Sequence, residues 1–235
     1  AIAAIWPTLR GDTIVLDVGA TVGGDAQQLV DFAILGASLG RALFDQEKPS
    51  VGLLNVGTEE LKGIDEVKEA ARILADHDGA GYRYHGFVEG DDLGKGTVDV
   101  VVTEGFAGNI ALKTAEGTAR QVGTYLRLAL KADWVSRFGA LISSRAMMAL
   151  RRKMDPRAIN GGVFIGLNGT VIKSHGGTDE IGFKSALDLA YEMARFRLID
   201  KIAEGMAEFA PDEAVAEEDS AEKDTPEDSA TEQTA

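Results

Sequence analysis

Short apolar runs that stop at a glycine, each followed by a stretch of helical spacing, recur along this chain and leave few folds open to it. Thr13-Ile14-Val15-Leu16-Asp17-Val18 ends at Gly19, Val51-Gly52-Leu53-Leu54-Asn55-Val56 ends at Gly57, and Thr97–Thr103 (TVDVVVT) is followed by Glu104-Gly105. Asp25–Phe44 spaces Leu29, Phe32, Ala33, Gly36, Leu39 and Leu43 as a packed helix would, with Asp25 as its cap and Gln28 at the capping-box position. Thr58 is expected to cap a helix over 59–77, and a further helix covers about 110–131. Val163–Leu167 and Thr170–Lys173 read as two short strands joined through Asn168-Gly169. A last helix over about 180–207 puts Phe183, Leu187, Ala190, Ala194, Leu198 and Ile202 on one face. Strands alternating with helices in this way predict an α/β fold with a largely parallel sheet. Glycine supports the same reading: 28 of 235 residues is well above the ordinary ~7% and suits many tight loops better than a helical bundle.

In open parallel sheets, ligands sit beyond the carboxyl ends of the strands. Four glycine-bearing loops fall there: 17–21, 55–63, 104–109, and Asn168-Gly169 taken together with 173–179. Each joins backbone that a ligand can approach closely to Asn, Asp, Glu, Lys or His. Helix N-termini that follow such loops offer free N–H groups to anions. The expected ligand is anionic and rich in oxygen. Other chemistries are excluded. The chain has no Cys, no P-loop, no complete G-x-G-x-x-G opening a βαβ unit and no G-x-S-x-G elbow. Its three His, at 77, 85 and 175, leave little for a metal site, and His77 and His85 read as structural. Neither metal nor cofactor is expected, and direct transfer between two bound substrates is the simplest chemistry.

The net charge of −14 is unevenly placed. Residues 212–235 carry ten acidic side chains against Lys223, or −9 of that total, with one Val and no aromatic residue. Such a segment cannot bury enough surface to offset ordering its backbone, so 208–235 is expected to be a disordered acidic tail. Residues 118–153 carry Arg120, Arg127, Lys131, Arg137, Arg145, Arg151, Arg152 and Lys153 against Asp133 alone, a local +7. Val122, Tyr125, Leu126, Ala129 and Leu130 form a helical stripe among them, with Trp134, Phe138 and Leu141 beyond. A basic amphipathic segment of this kind suits an anionic membrane surface or an acidic partner, and equally a dimer or core helix with a basic outer face. Nucleic acid is disfavoured, because the rest of the chain is acidic and no recognition module is visible. No run is long and apolar enough for a membrane span, and the first residues lack the basic and apolar regions of a secretion signal, so a cytoplasmic protein is expected.

The segments LDVGAT (16–21), VGLLNVGTEELKG (51–63), YHGFVEGDDLGKGTVDVVVTEGFAGNIALKTAEG (84–117) and FIGLNGTVIKSHGGTD (164–179) closely resemble the phosphate acyltransferase (PlsX) family of bacterial phospholipid synthesis. The resemblance implies a three-layer α/β/α sandwich related to isocitrate dehydrogenase and phosphotransacetylase, here one domain over 1–207. It implies attack of inorganic phosphate on the thioester of a long-chain acyl-carrier protein, giving an acyl phosphate that a membrane glycerol-3-phosphate acyltransferase consumes. It also implies a homodimer, peripherally associated with the membrane, and moves the 118–153 segment towards a docking surface built on Trp134, Phe138, Leu141, Arg137 and Arg145.

Within the matching motifs, Lys62, Lys113, Lys173 and His175 are the cationic or donor candidates. Asn55, Asn109 and Asn168 are candidates to position phosphate or to stabilise the oxyanion, Gly108 and Gly169 to admit the ligand, and Glu59 or Asp17 to orient the other groups. His175 can alternatively accept a proton from phosphate near neutral pH. The family commonly carries Asn where Thr21 stands and Asp where Glu104 stands, so neither residue is assigned a catalytic role. The family's N-terminal portion, with its Asp-Ala-Met-Gly-Gly-Asp motif, is not among these residues, and the chain is expected to be a C-terminal part. Two alternatives stay open: a phosphotransacetylase-type enzyme using acyl-CoA, and an inactive dimerisation or membrane-docking fragment.

Overall fold

A computed structural model describes residues 1–78, 81–153 and 161–209. Among these described residues seven strands form one sheet: β1 (Ile2–Pro7), β2 (Asp12–Leu16), β3 (Ser50–Leu54), β4 (Arg83–Val88), β5 (Val100–Val102), β6 (Gly162–Phe164) and β7 (Val171–Lys173). Their order is β4-β3-β5-β2-β1-β6-β7. Strands β2 to β5 are mutually parallel, while β1 runs antiparallel to both β2 and β6, and β7 returns antiparallel to β6. The sheet is therefore mostly parallel with antiparallel pairing on one flank, the α/β arrangement that the strand–helix alternation predicts.

Central strands are apolar on both faces because both are covered. Ile14, Leu16, Val51, Leu53, Val100 and Val102 point into the larger core. That core is roofed by α1 (Ala26–Phe44), α2 (Asp65–Asp76) and α8 (Leu198–Phe209). Helix α1 lies so close to the sheet that a Cβ on Gly36 would stand 2.6 Å from Val100 Cγ1 and 2.8 Å from Leu16 Cδ2. Val15, Val88 and Val101 face the other way, into a smaller core with Leu93 of α3 (Asp92–Lys95) and Ala111 and Leu112 of α4 (Gly105–Lys131). Only the start of α4 takes part in that second layer.

Beyond its first two turns α4 leaves the body, and α5 (Trp134–Ile142) and α6 (Ser144–Lys153) continue it as a helical arm. The 118–153 segment is thus helical, and α5 has no buried residue. Trp134 is 80% exposed, Leu141 69% and Phe138 60%. Among the described residues no helix is long and apolar enough to cross a membrane.

Two sequence expectations are corrected. The helix expected from 59 begins at Asp65, after an N-cap at Ile64 that makes no side-chain bond, so Thr58 caps nothing. The reason lies in Asn55, whose amide donates to the carbonyls of Gly57 and Lys62 and curls 55–63 into a closed loop. The last helix is two: α7 (Glu180–Arg195) ends at Phe196, and Arg197 adopts φ 52 before α8 starts. On α7 the inner face is Gly182, Ala186 and Met193, while Phe183 and Leu187 point outward. The acidic tail beyond residue 209 lies outside the described residues.

Candidate functional site

Strand direction decides which candidates can meet. The carboxyl ends of β2, β3 and β5 lie at one end of the sheet, and Phe164 of β6, paired with Ile2 beside Leu16, brings the β6–β7 turn to the same end. Asp17, Asn55, Asn109 and Asn168 therefore share one rim. They are strung along it: β3 and β6 are four strand positions apart, about 19 Å at the usual ~4.8 Å spacing. Lys173 and His175 do not belong with Asn168. Lys173 pairs with Gly162, itself opposite Ala4, and the chain then runs on away from the rim towards His175. A hairpin turns the two ends of one motif in opposite directions.

The tightest grouping is where the β2–α1 loop meets the first turn of α4. Asp17 is fully buried. Its Oδ1 accepts from the backbone N–H groups of Ile2 at 2.9 Å, Gly19 at 3.1 Å and Ala20 at 3.0 Å. Its Oδ2 accepts from Ala20 N–H at 3.1 Å, Thr21 N–H at 2.8 Å and the Thr21 hydroxyl at 2.9 Å. Burial pushes this carboxyl's pKa up, but the donors from Ile2, Ala20 and Thr21 outweigh it and hold the pKa below the ordinary value. Asp17 is thus ionised, with its lone pairs committed inside the protein.

Thr21 and Glu104 attach this loop to α4. The Thr21 hydroxyl, while donating to Asp17, accepts from Gly105 N–H at 3.1 Å. Glu104 caps α4, accepting from Phe106 N–H at 2.8 Å and Ala107 N–H at 2.6 Å, and also takes Gly23 N–H at 3.2 Å. Contact is close enough to require glycine on α4: a Cβ on Gly108 would fall on the Asp17 carbonyl oxygen, and one on Gly105 would strike Thr21. Asn109 then stands over Gly19, where a Cβ on the glycine would lie 3.5 Å from its side chain. Lys113 follows one turn along the same helix face and pairs with Glu116 at 3.2 Å.

Side-chain caps take up part of the free donors the sequence suggests at the starts of α1, α4 and α7, whereas α2 has no such cap. Asp25 accepts from Gln28 N–H on α1, Glu104 occupies the start of α4, and Asp179 accepts from Gly182 N–H on α7. Along the rim, Lys62 pairs with Glu59 at 2.9 Å, and this bond lowers the Glu59 pKa. Asn55 spends its amide on its own loop. Asn168, Gly169, Asn109 and Lys62 are exposed. His175 Nδ1 lies 3.3 Å from Gly177 N–H, and His77 Nδ1 lies 2.9 Å from the Ile73 carbonyl. The sequence put Thr21, Glu104 and Gly105 in the rim loops but did not show that they would join the two segments. Their one legible sign was Thr21 four residues after an Asp that ends a strand, since Glu is not a preferred helix cap. Among the described residues no cluster of three or more His, Asp or Glu could hold a metal.

Comparison with known proteins narrows what this rim belongs to. The chain is 61% identical over 218 residues to a phosphate acyltransferase of Rhizobium meliloti (strain 1021), covering 92% of this chain and 63% of that protein. It is 65% identical over 201 residues to a phosphate acyltransferase of Chelativorans sp. (strain BNC1), covering 86% and 57%. A third, from Azorhizobium caulinodans, is 60% identical over 211 residues, covering 90% and 59%. The chain thus spans about three-fifths of the length of these relatives. Among solved structures, the EutD phosphotransacetylase from Staphylococcus aureus superposes with a TM-score of 0.51 at 16% identity, over 84% of this chain and 54% of that one, a likeness of fold. The family described as "Fatty acid synthesis protein" matches residues 1–201, and the chain belongs to that family, the PlsX phosphate acyltransferases.

Proposed function

We propose that this chain forms the larger part of an enzyme that moves a long-chain fatty acyl group from acyl-carrier protein to inorganic phosphate. A phosphate oxygen attacks the thioester carbonyl, the C–S bond breaks, and acyl phosphate and the free carrier-protein thiol are released. The observation that carries this reading is the course of α4. Its first turn lies in the rim beside Asp17 and Asn109, and its far end leads into the exposed apolar, cationic arm. One element links a polar rim to a surface suited to a fatty cargo and an acidic carrier or membrane.

In this reading Lys62 and Lys113 provide positive charge along the rim, and Asn109 positions phosphate or donates to the thioester oxygen as it becomes an oxyanion. Gly19 and Gly169 leave backbone that phosphate can approach. Lys173 and His175 stand apart from the rim and enter no step. Trp134, Phe138 and Leu141, with Arg137 and Arg145, meet an anionic membrane surface or the carrier protein. The protein works as a homodimer, peripherally bound at the membrane, where the acyl phosphate is taken up by an acyltransferase acting on glycerol 3-phosphate.

The test is thioester consumption from palmitoyl-carrier protein with and without phosphate. It is run on this chain and on the chain joined to the N-terminal portion of a relative. Phosphate-dependent release of thiol and acyl phosphate by the joined protein is expected. No such release would refute the reading, and turnover of acyl-CoA in its place would reassign the donor.

A further inference from the structure

We propose that Thr21 is a positioning residue that sets the rim's phosphate geometry by tying the β2–α1 loop to the first turn of α4. The proposal rests on the phosphate reading above and adds to it how the site is held in register. The path runs Gly105 N–H to the Thr21 hydroxyl at 3.1 Å, and from that hydroxyl to Asp17 Oδ2 at 2.9 Å. One hydroxyl thus accepts from α4 and donates to a carboxylate anchored in the core. The same carboxylate holds Ile2 N–H of β1 and the N–H groups of Gly19, Ala20 and Thr21. The Glu104 bond to Gly23 is a second, exposed tie between the same two segments. Asn109 sits four residues into α4 and lies over Gly19. Its distance from the loop backbone is therefore set by how closely Gly105 is drawn to Thr21, together with the Gly108–Asp17 contact one turn on. A group that sets this distance governs how tightly phosphate is gripped, and has little hold on bond breaking once phosphate is in place.

Valine has the shape of threonine without the hydroxyl, and serine keeps the hydroxyl. In the chain joined to a relative's N-terminal portion, Thr21→Val is expected to raise KM for phosphate about tenfold, near the upper end of the net contribution of one hydrogen bond. kcat should stay within about threefold, KM for palmitoyl-carrier protein should not move, and Thr21→Ser should restore phosphate KM. Independently of turnover, amide hydrogen exchange in Thr21→Val should quicken together in 19–21 and 105–109, and leave the sheet protected. Exchange that quickens in 19–21 alone would show that the hydroxyl does not couple the segments and would overturn the proposal. Coupled exchange with an unchanged phosphate KM would overturn its bearing on phosphate. If the unsubstituted protein shows no phosphate-dependent turnover, the phosphate reading falls and takes this bearing with it, while the exchange experiment still decides the tie.

Discussion

A carboxylate without exposed surface persists only where donors replace the water it has lost, and Asp17 receives four backbone N–H groups and a hydroxyl. Asp17→Asn would turn an amide N–H2 onto those donors, and is expected to cost about 2–4 kcal/mol in urea unfolding. The sign with pH follows. The folded-state pKa lies below the usual 3.8, so the charge contributes stability above that value and loses it as pH falls through the lower one. The stability gap between wild type and Asp17→Asn should therefore be level at neutral pH and narrow below pH 3.8. Gly108→Ala would force its methyl onto the Asp17 carbonyl oxygen, and is expected to destabilise by about 3 kcal/mol or more, read by thermal melt. Arg197 holds a left-handed φ of 52 without being glycine. Arg197→Gly removes that strain at the cost of an exposed contact to Asp200, and should raise stability by about 0.5–1 kcal/mol.

At the scale of elements, legibility followed pattern strength. Strands β2, β3 and β5 showed because their apolar runs are buried on both faces and bounded by glycine or polar residues. Strand β1 was hidden by its alanines, and β4 by the mixed run RYHGFV that suits its place at the sheet edge. Helix α7 shows how size misleads. Phe183 and Leu187 look like core, yet a Cβ on Gly161 beneath the helix would lie 3.0 Å from Leu189 and 3.7 Å from the Ala186 backbone. Such close approach selects small residues at Gly182 and Ala186, leaves Met193 as the large buried side chain of this face, and turns Phe183 and Leu187 outward. The rim loops were legible as loops, but their partners were not. Spacing could not show that Asn55 would bond its own turn or that Glu104 would cap α4, whereas the Asn168-Gly169 hairpin was legible and already implied that the chain runs back before His175.

For the whole molecule, the contrast between body and arm governs what each can do. The body's cores hold its helices against the sheet, whereas Trp134, Phe138 and Leu141 contribute almost nothing to them. Trp134→Glu combined with Phe138→Glu should abolish co-sedimentation with vesicles of anionic phospholipid and shift the melting temperature by less than about 2 °C, since surface changes rarely exceed 0.5 kcal/mol. Retained binding would remove the arm from the docking role. Helix α4 is one unbroken span of 27 residues, close to 40 Å at ~1.5 Å per residue. A stiff rod of that length keeps its two ends apart: its first turn is anchored at the strand tips, and its outer turns carry the exposed arm well away from them.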